Sequence, residues 1–252
     1  MKVIAVLDVV LDDPRPWKAA MDTIYSFLPE GTLYFSGNGV HLRAMDPSQV
    51  VLVELFAPKD VFSKYELGAP SVPVALDFSE YTKILSRAGG DDRVRMSLED
   101  VSLSVIIERV NGSFRREFYL PLMDISDRDA DIPLPEASTT VTIRAKLLKD
   151  ALRDSGLFAT SAVFVARPDV FMIEAKSQQG ITRVVARPGD DVKISSELES
   201  ISRYSLPYVQ NIVKAADPDS FITISFGNDT PARIEYHVSG IKLTFFLAHM
   251  IL

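Results

Sequence analysis

The chain has 252 residues, no cysteine, 27 Lys+Arg against 34 Asp+Glu, and a formal net charge of -7. An apolar share of 47 % and a charged share of 24 % describe an ordinary globular chain of one to two domains and exclude a disordered one. The missing cysteines exclude a disulfide scaffold, thiolate zinc sites and cysteine nucleophiles. No stretch approaches the roughly 20 apolar residues of a membrane span. Net acidity argues against a surface that coats nucleic acid everywhere, but it leaves room for a basic stripe on one face.

The start, MKVIAVLDVVLDDP, meets acid at Asp8 and reads as a first strand, not a signal peptide, so the expected location is cytoplasmic. A helix follows over residues 16 to 28, with Trp17, Met21, Ile24, Tyr25 and Leu28 on one face. Short alternating runs come next at 32 to 35, 40 to 42 and 50 to 56, with a turn at Gly37-Asn38-Gly39. A second helix spans 78 to 88 and stops at Gly89-Gly90; a strand follows at 94 to 98. The stretch from 121 to 138 is rich in proline and acid and reads as an exposed connector. Beyond it lie a third helix, 146 to 155, and a fourth, 206 to 215.

The chain repeats itself. FSEYTKILSRAGGDDRVRMSL from Phe78 resembles SLPYVQNIVKAADPDSFITISF from Ser205. Tyr81 aligns with Tyr208, Leu85 with Ile212, Arg87 with Lys214 and Ala88 with Ala215. After one inserted residue, Val94, Met96 and Leu98 align with Ile222, Ile224 and Phe226. Val40, Leu42 and Ala44 align with Phe171, Ile173 and Ala175 at nearly the same offset. Two copies of one α+β unit follow: antiparallel sheet with two helices each, 1–120 and 136–252, joined by a connecting loop at 121–135.

The helices are basic on the face that is not apolar. Lys146, Lys149 and Arg153 form one stripe on the third; Lys83 and Arg87 form another on the second. Lys18 stands on the first and Lys214 on the fourth. Charge without base-reading side chains suits contact with DNA phosphates. A solvated helix face has the same pattern.

Enzyme chemistry finds little support. His41, His237 and His249 make no close pair, and there is no P-loop, HExxH or G-x-S-x-G. Asp127, Asp129 and Asp131 begin like a calcium loop, but Ile132 stands where glycine is needed and Ser138 at position twelve. No metal or cofactor is expected.

GVHLRAMDPSQVVLVEL (Gly39 to Leu55) resembles the signature of sliding clamps of the proliferating cell nuclear antigen (PCNA) type. KILSRAGGDD from Lys83, LMDIS with DIP between Leu122 and Pro133, and the ending FFLAHMIL from Phe245 fit the same family in the same order. The ending at Leu252, without an acidic tail, looks archaeal.

The resemblance implies the DNA clamp fold and a pseudo-six-fold trimeric ring around double-stranded DNA, with Lys18, Lys83, Arg87, Lys146, Lys149, Arg153 and Lys214 lining the hole. It implies a processivity factor opened by a clamp loader, whose clients are DNA polymerase, a flap endonuclease and DNA ligase. Their peptide pocket would comprise Met45, Gln49, Val50, Leu52, Ala130, Ile132, Pro133, Pro231, Ala248 and His249. His249-Met250 departs from the family's usual Pro-Lys ending. The ring would close through edge strands at 113 to 120 and 180 to 187, both rich in arginine. The partner there would be a further copy of the chain or a paralogue. A scaffold subunit of a heterotrimeric ring with its own clients is the alternative, and a two-domain hydrolase the remote one.

Overall fold

The computed structural model describes residues 6–99, 101–124 and 137–251. They form two compact units. The first takes in 6–47, 53–99, 101–124 and 238–243, the second 48–52, 137–237 and 244–251.

In chain order the first repeat gives β1 (Leu7–Leu11), α1 (Arg15–Tyr25), β2 (Glu30–Ser36), β3 (Gly39–Met45), β4 (Val51–Pro58), β5 (Lys64–Leu67), β6 (Ser71–Asp77), α2 (Phe78–Leu85), β7 (Asp92–Glu99), β8 (Ser102–Arg109) and β9 (Arg115–Pro121). The second gives β10 (Thr139–Arg144), α3 (Ala145–Ser155), β11 (Ser161–Arg167), β12 (Val170–Ser177), β13 (Gly180–Ala186), β14 (Val192–Ser196), β15 (Ser200–Ser205), α4 (Leu206–Ile212), β16 (Phe221–Phe226), β17 (Ala232–Val238) and β18 (Ile241–Leu247).

Side by side, the strands of the first repeat run β5-β1-β7-β8-β9 and β6-β2-β3-β4. Those of the second run β14-β10-β16-β17-β18 and β15-β11-β12-β13. The two orders are the same, element for element. Pairing is antiparallel, with Val9 opposite Met96 and Val141 opposite Ile224, and these side chains point into the core.

Each helix is anchored by its apolar stripe. Trp17, Ala20, Met21 and Ile24 of α1 are buried, as are Leu148, Ala151, Leu152 and Ser155 of α3. Asp77 caps α2, its side chain accepting from the Glu80 amide at 3.0 Å, while Pro16 and Pro207 stand in the first turns of α1 and α4. The Trp17 indole donates to the Tyr81 hydroxyl at 2.8 Å, and that hydroxyl donates to Met96 Sδ at 2.9 Å, tying α1, α2 and β7 together. Burial pushes the Tyr81 phenol far above its usual range, with Trp17 opposing. In the second unit Phe164 meets Phe171, Tyr204 and Phe226 edge-on.

Three helices end before the residues that periodicity suggests. Beyond Tyr25, Leu85 and Ile212 the chain tightens into bonds of the i to i+3 kind: Phe27 N–H to Ile24 O, Arg87 to Ile84 and Ala216 to Val213. The repeat alignment also needs correction. Burial matches α2 to α4 at one constant offset, pairing Phe78 with Leu206, Tyr81 with Val209, Leu85 with Val213 and Ala88 with Ala216, all buried. The same offset pairs Val94 with Ile222, so no inserted residue is needed. Tyr208 is only half-buried and is not the counterpart of Tyr81. Lys214 therefore corresponds to Ser86, not to Arg87.

Two further devices hold the first unit. Gly39, at φ 142°, closes against β4, where a Cβ would sit 2.2 Å from the Ala57 carbonyl oxygen. Asp92, buried, accepts from the Gly89 amide at 3.0 Å, Arg109 Nε at 3.0 Å and Arg116 Nη2 at 2.9 Å. The Gly89 amide and then the two guanidiniums hold its carboxyl below the usual aspartate range. Burial would raise the Asp8 carboxyl, but bonds from Arg95 and Lys64 outweigh it and leave it lowered too.

A lowered folded-state value means that both carboxylates contribute fully at neutral pH. That contribution is lost as pH falls through the depressed values, from about 4 downward. Asp92→Asn, which leaves Arg109 and Arg116 without their counter-charge, lowers unfolding free energy by about 1–3 kcal/mol at pH 7. Its stability changes less than the parent's between pH 5 and pH 3; urea unfolding across that range checks both.

Candidate nucleic-acid face and peptide pocket

The basic helix residues divide by what they touch. In the first unit Lys83 is exposed and pairs with Glu80 at 2.6 Å, one turn back. Arg87 is exposed, and no acidic partner for its guanidinium occurs among the described residues. Lys18 is half-buried, and its ammonium donates to the Ser86 carbonyl at 3.2 Å.

In the second unit Lys146 and Lys214 are exposed and carry no ion pair among the described residues. Arg153 is exposed and leans on Asp150 at 3.0 Å, an i,i+3 pair that water screens. Lys149 is half-buried and donates to the carbonyls of Lys214 (3.1 Å) and Ala216 (2.5 Å). Burial lowers its ammonium from the usual lysine range, with Asp217 opposing. Gln210 returns the contact, donating to the Leu152 carbonyl at 3.0 Å. Between α3 and α4 lies an open concavity of about 320 Å³ lined by Lys149, Leu152, Arg153, Gln210, Asn211, Val213 and Lys214. It offers no acid–base pair for chemistry.

The residues expected to hold a client peptide are described in part. Ala130, Ile132 and Pro133 lie outside the described residues. Met45 is half-buried at the end of β3 in the first unit. In the second unit Gln49 is exposed and takes the left-handed conformation, φ 58°. Val50 is half-buried, and its carbonyl accepts from the Ala248 amide at 2.8 Å, which brings 48–52 against the chain's C-terminal segment. Leu52 is 1 % exposed, so its side chain belongs to the core and offers no surface. Pro231, Ala248 and His249 are half-buried. His249 Nδ1 is buried without a hydrogen-bond partner among the described residues. The Met250 amide donates to the Arg203 carbonyl at 2.8 Å, laying this segment on the edge of β15.

Strand β9 ends one sheet and β13 ends another, as the family resemblance implied, though β9 starts two residues later than expected. The arginines are mostly spoken for: Arg109 and Arg116 by Asp92, Arg115 by Glu117, and Arg183 by Glu174 with Nε at 2.7 Å. Sequence reading missed the exposed apolar side chains beside them. Phe114 and Tyr119 are more than half exposed at β9. Ile181 is also more than half exposed on β13, and Val185 and, on α3, Leu147 are exposed to a lesser degree. A cavity of about 410 Å³ beside β13 is lined by Leu147 and Val185 together with Asp150, Asp154, Asp190 and Asp191. The signal was the alternation along β13, with Ile181, Arg183 and Val185 all on one face.

Among the described residues no cluster of three or more His, Asp or Glu could hold a metal ion, and no helix is long and apolar enough to cross a membrane.

Comparison with known proteins adds the rest. Residues 7–131 match the family described as proliferating cell nuclear antigen, N-terminal domain. The DNA polymerase sliding clamp of Pyrococcus furiosus is 29 % identical over 245 residues, which is 96 % of this chain and 97 % of that protein. The DNA polymerase sliding clamp 1 of Thermococcus kodakarensis is 28 % identical over 245 residues with the same coverage. A crystal structure of PCNA from Thermococcus kodakaraensis matches with a TM-score of 0.90 at 25 % identity, covering 97 % of this chain and 100 % of that one. Likeness of fold and likeness of sequence run over the same span, end to end, and the chain belongs to the PCNA family of DNA sliding clamps.

Proposed function

We propose that this chain is a DNA polymerase sliding clamp, a processivity factor that encircles duplex DNA in the cell interior and performs no chemistry. The observation that carries the reading is the end-to-end likeness to archaeal clamps. The basic outer faces of α2, α3 and α4 support it. Enclosure keeps such a protein on DNA, so its phosphate contacts can stay weak, exchangeable and blind to sequence. Exposed Arg87, Lys146, Arg153 and Lys214, with Lys83, have the character that sliding requires.

Ring closure is proposed between the β9 edge of one copy and the β13 edge of the next. Each edge leaves apolar side chains in the open, Phe114 and Tyr119 at one and Ile181 and Val185 at the other. Such an interface is heterologous, and closes if three turns complete the circle. Light scattering then gives about three times the 27.9 kDa chain mass. A monomer or dimer at all concentrations would instead favour a subunit of a mixed ring, with paralogues as its partners.

The clients proposed are DNA polymerase, flap endonuclease and DNA ligase, each docking a short peptide, with an ATP-driven clamp loader to open the ring. To that pocket we assign, among the described residues, Met45, Gln49, Val50, Pro231, Ala248 and His249; half-buried apolar side chains such as Val50 suit peptide anchors.

Two variants separate pocket from core. Val50→Asp abolishes binding of a fluorescent client peptide and leaves the melting temperature within about 2 °C, as a half-exposed change does. Leu52→Ala leaves binding intact in the folded fraction but costs about 2–5 kcal/mol of stability. The lining is tested separately. Lys146→Glu with Lys214→Glu cuts polymerase processivity on primed DNA while circular dichroism stays unchanged; retained processivity would remove those residues from the lining.

A further inference from the structure

Lys18 and Lys149 read as lining charges in the sequence, yet their ammonium groups point along the helix seam. Burial matches α1 to α3 at a constant offset: Trp17 with Leu148, Ala20 with Ala151, Met21 with Leu152 and Ile24 with Ser155, all buried. At that offset Lys18 corresponds to Lys149. The carbonyls they reach also correspond, since the offset between α2 and α4 pairs Ser86 with Lys214.

The same lysine thus makes the same contact in both repeats. It bridges from the first helix of the pair to the carbonyl end of the second. Those carbonyls lie just past the last turn, where a helix leaves acceptors without intrahelical donors and carries partial negative charge. A cation there satisfies the acceptor and favours the dipole. Half-burial and, at Lys149, a second carbonyl bond on Ala216 engage the ammonium further.

We infer that Lys18 and Lys149 are positioning residues that clamp the ends of α2 and α4, and that they do not bind DNA phosphate themselves. Lys149 holds the backbone of Lys214, and Lys18 holds the residue just before Arg87. Each clamp therefore fixes the chain from which an exposed cation projects. The inference rests on the proposed DNA reading, and goes beyond it in dividing the lining into cations that touch and cations that place.

The test uses the full-length protein and a 30-base-pair duplex of arbitrary sequence, with fluorescence anisotropy read at several salt concentrations. Lys214→Met frees one phosphate and makes the slope of log affinity against log salt shallower by about 0.9. Lys149→Met weakens binding by about threefold with the slope unchanged, and Lys149→Arg, which keeps a cation on the carbonyls, restores it. The double variant Lys149→Met/Lys214→Met binds no worse than Lys214→Met alone, because the clamp acts through Lys214.

A shallower slope in Lys149→Met or Lys18→Met, or additive losses in the double variant, would overturn the inference. Amide hydrogen exchange supplies a readout that needs no DNA. Lys149→Met speeds exchange at 213–216 and Lys18→Met at 86–89, where unchanged protection would overturn the clamp. A parent protein whose affinity ignores salt would sink the DNA reading instead, with the exchange result still deciding the clamp.

Discussion

Everything in this molecule follows from helices with two unlike faces. Trp17, Met21 and Ile24, or Leu148 and Leu152, need shelter from water and find it on antiparallel sheet. That burial fixes which side of each helix remains in solvent. On α2, α3 and α4 the remaining side is where the cations stand. The chain can be acidic overall and still present positive charge on these helix faces, since folding sorts the charges that composition averages.

Both sheets of each repeat also have edges, and the molecule treats them unequally. β15 is covered: Met250 bonds Arg203, and Asn228 and Asp229 bond Ile201. β6 is covered by Met123, whose amide donates to the Ala75 carbonyl at 3.0 Å. β9 and β13 are left with arginines neutralised locally and apolar side chains in the open. Balanced charge and open apolar side chains leave such an edge without the usual defences against pairing.

Much of this was readable from the residues. The repeat emerged from apolar spacing, and the aligned runs prove to be topological counterparts: β3 with β12, β7 with β16, α2 with α4. The misreadings are equally physical. Matching Tyr81 to Tyr208 followed the letters, whereas packing follows position, and Val209 occupies the place of Tyr81. The roles of Lys18 and Lys149 were invisible because their acceptors are 68 and 65 residues away along the chain. Leu52 lies in the apolar run from 50 to 56, which by itself suits core; the family resemblance put it in the pocket, and its burial returns it to the core.

The closures by Met123 and Met250 carry a consequence for origins. Ala75 and Arg203 each stand shortly before the second helix of their repeat, and each is bonded by a residue just past the repeat's last strand. Each half thus ends with its own final residues bonded to one of its own strand edges. A module that finishes its own hem can be copied and fused in tandem without redesign. For the ring proposed above, six such modules from six short chains, or from three double ones, would pose the same assembly problem. Gene fusion at this junction would halve the number of parts that must meet, and leave untouched the edges through which they do.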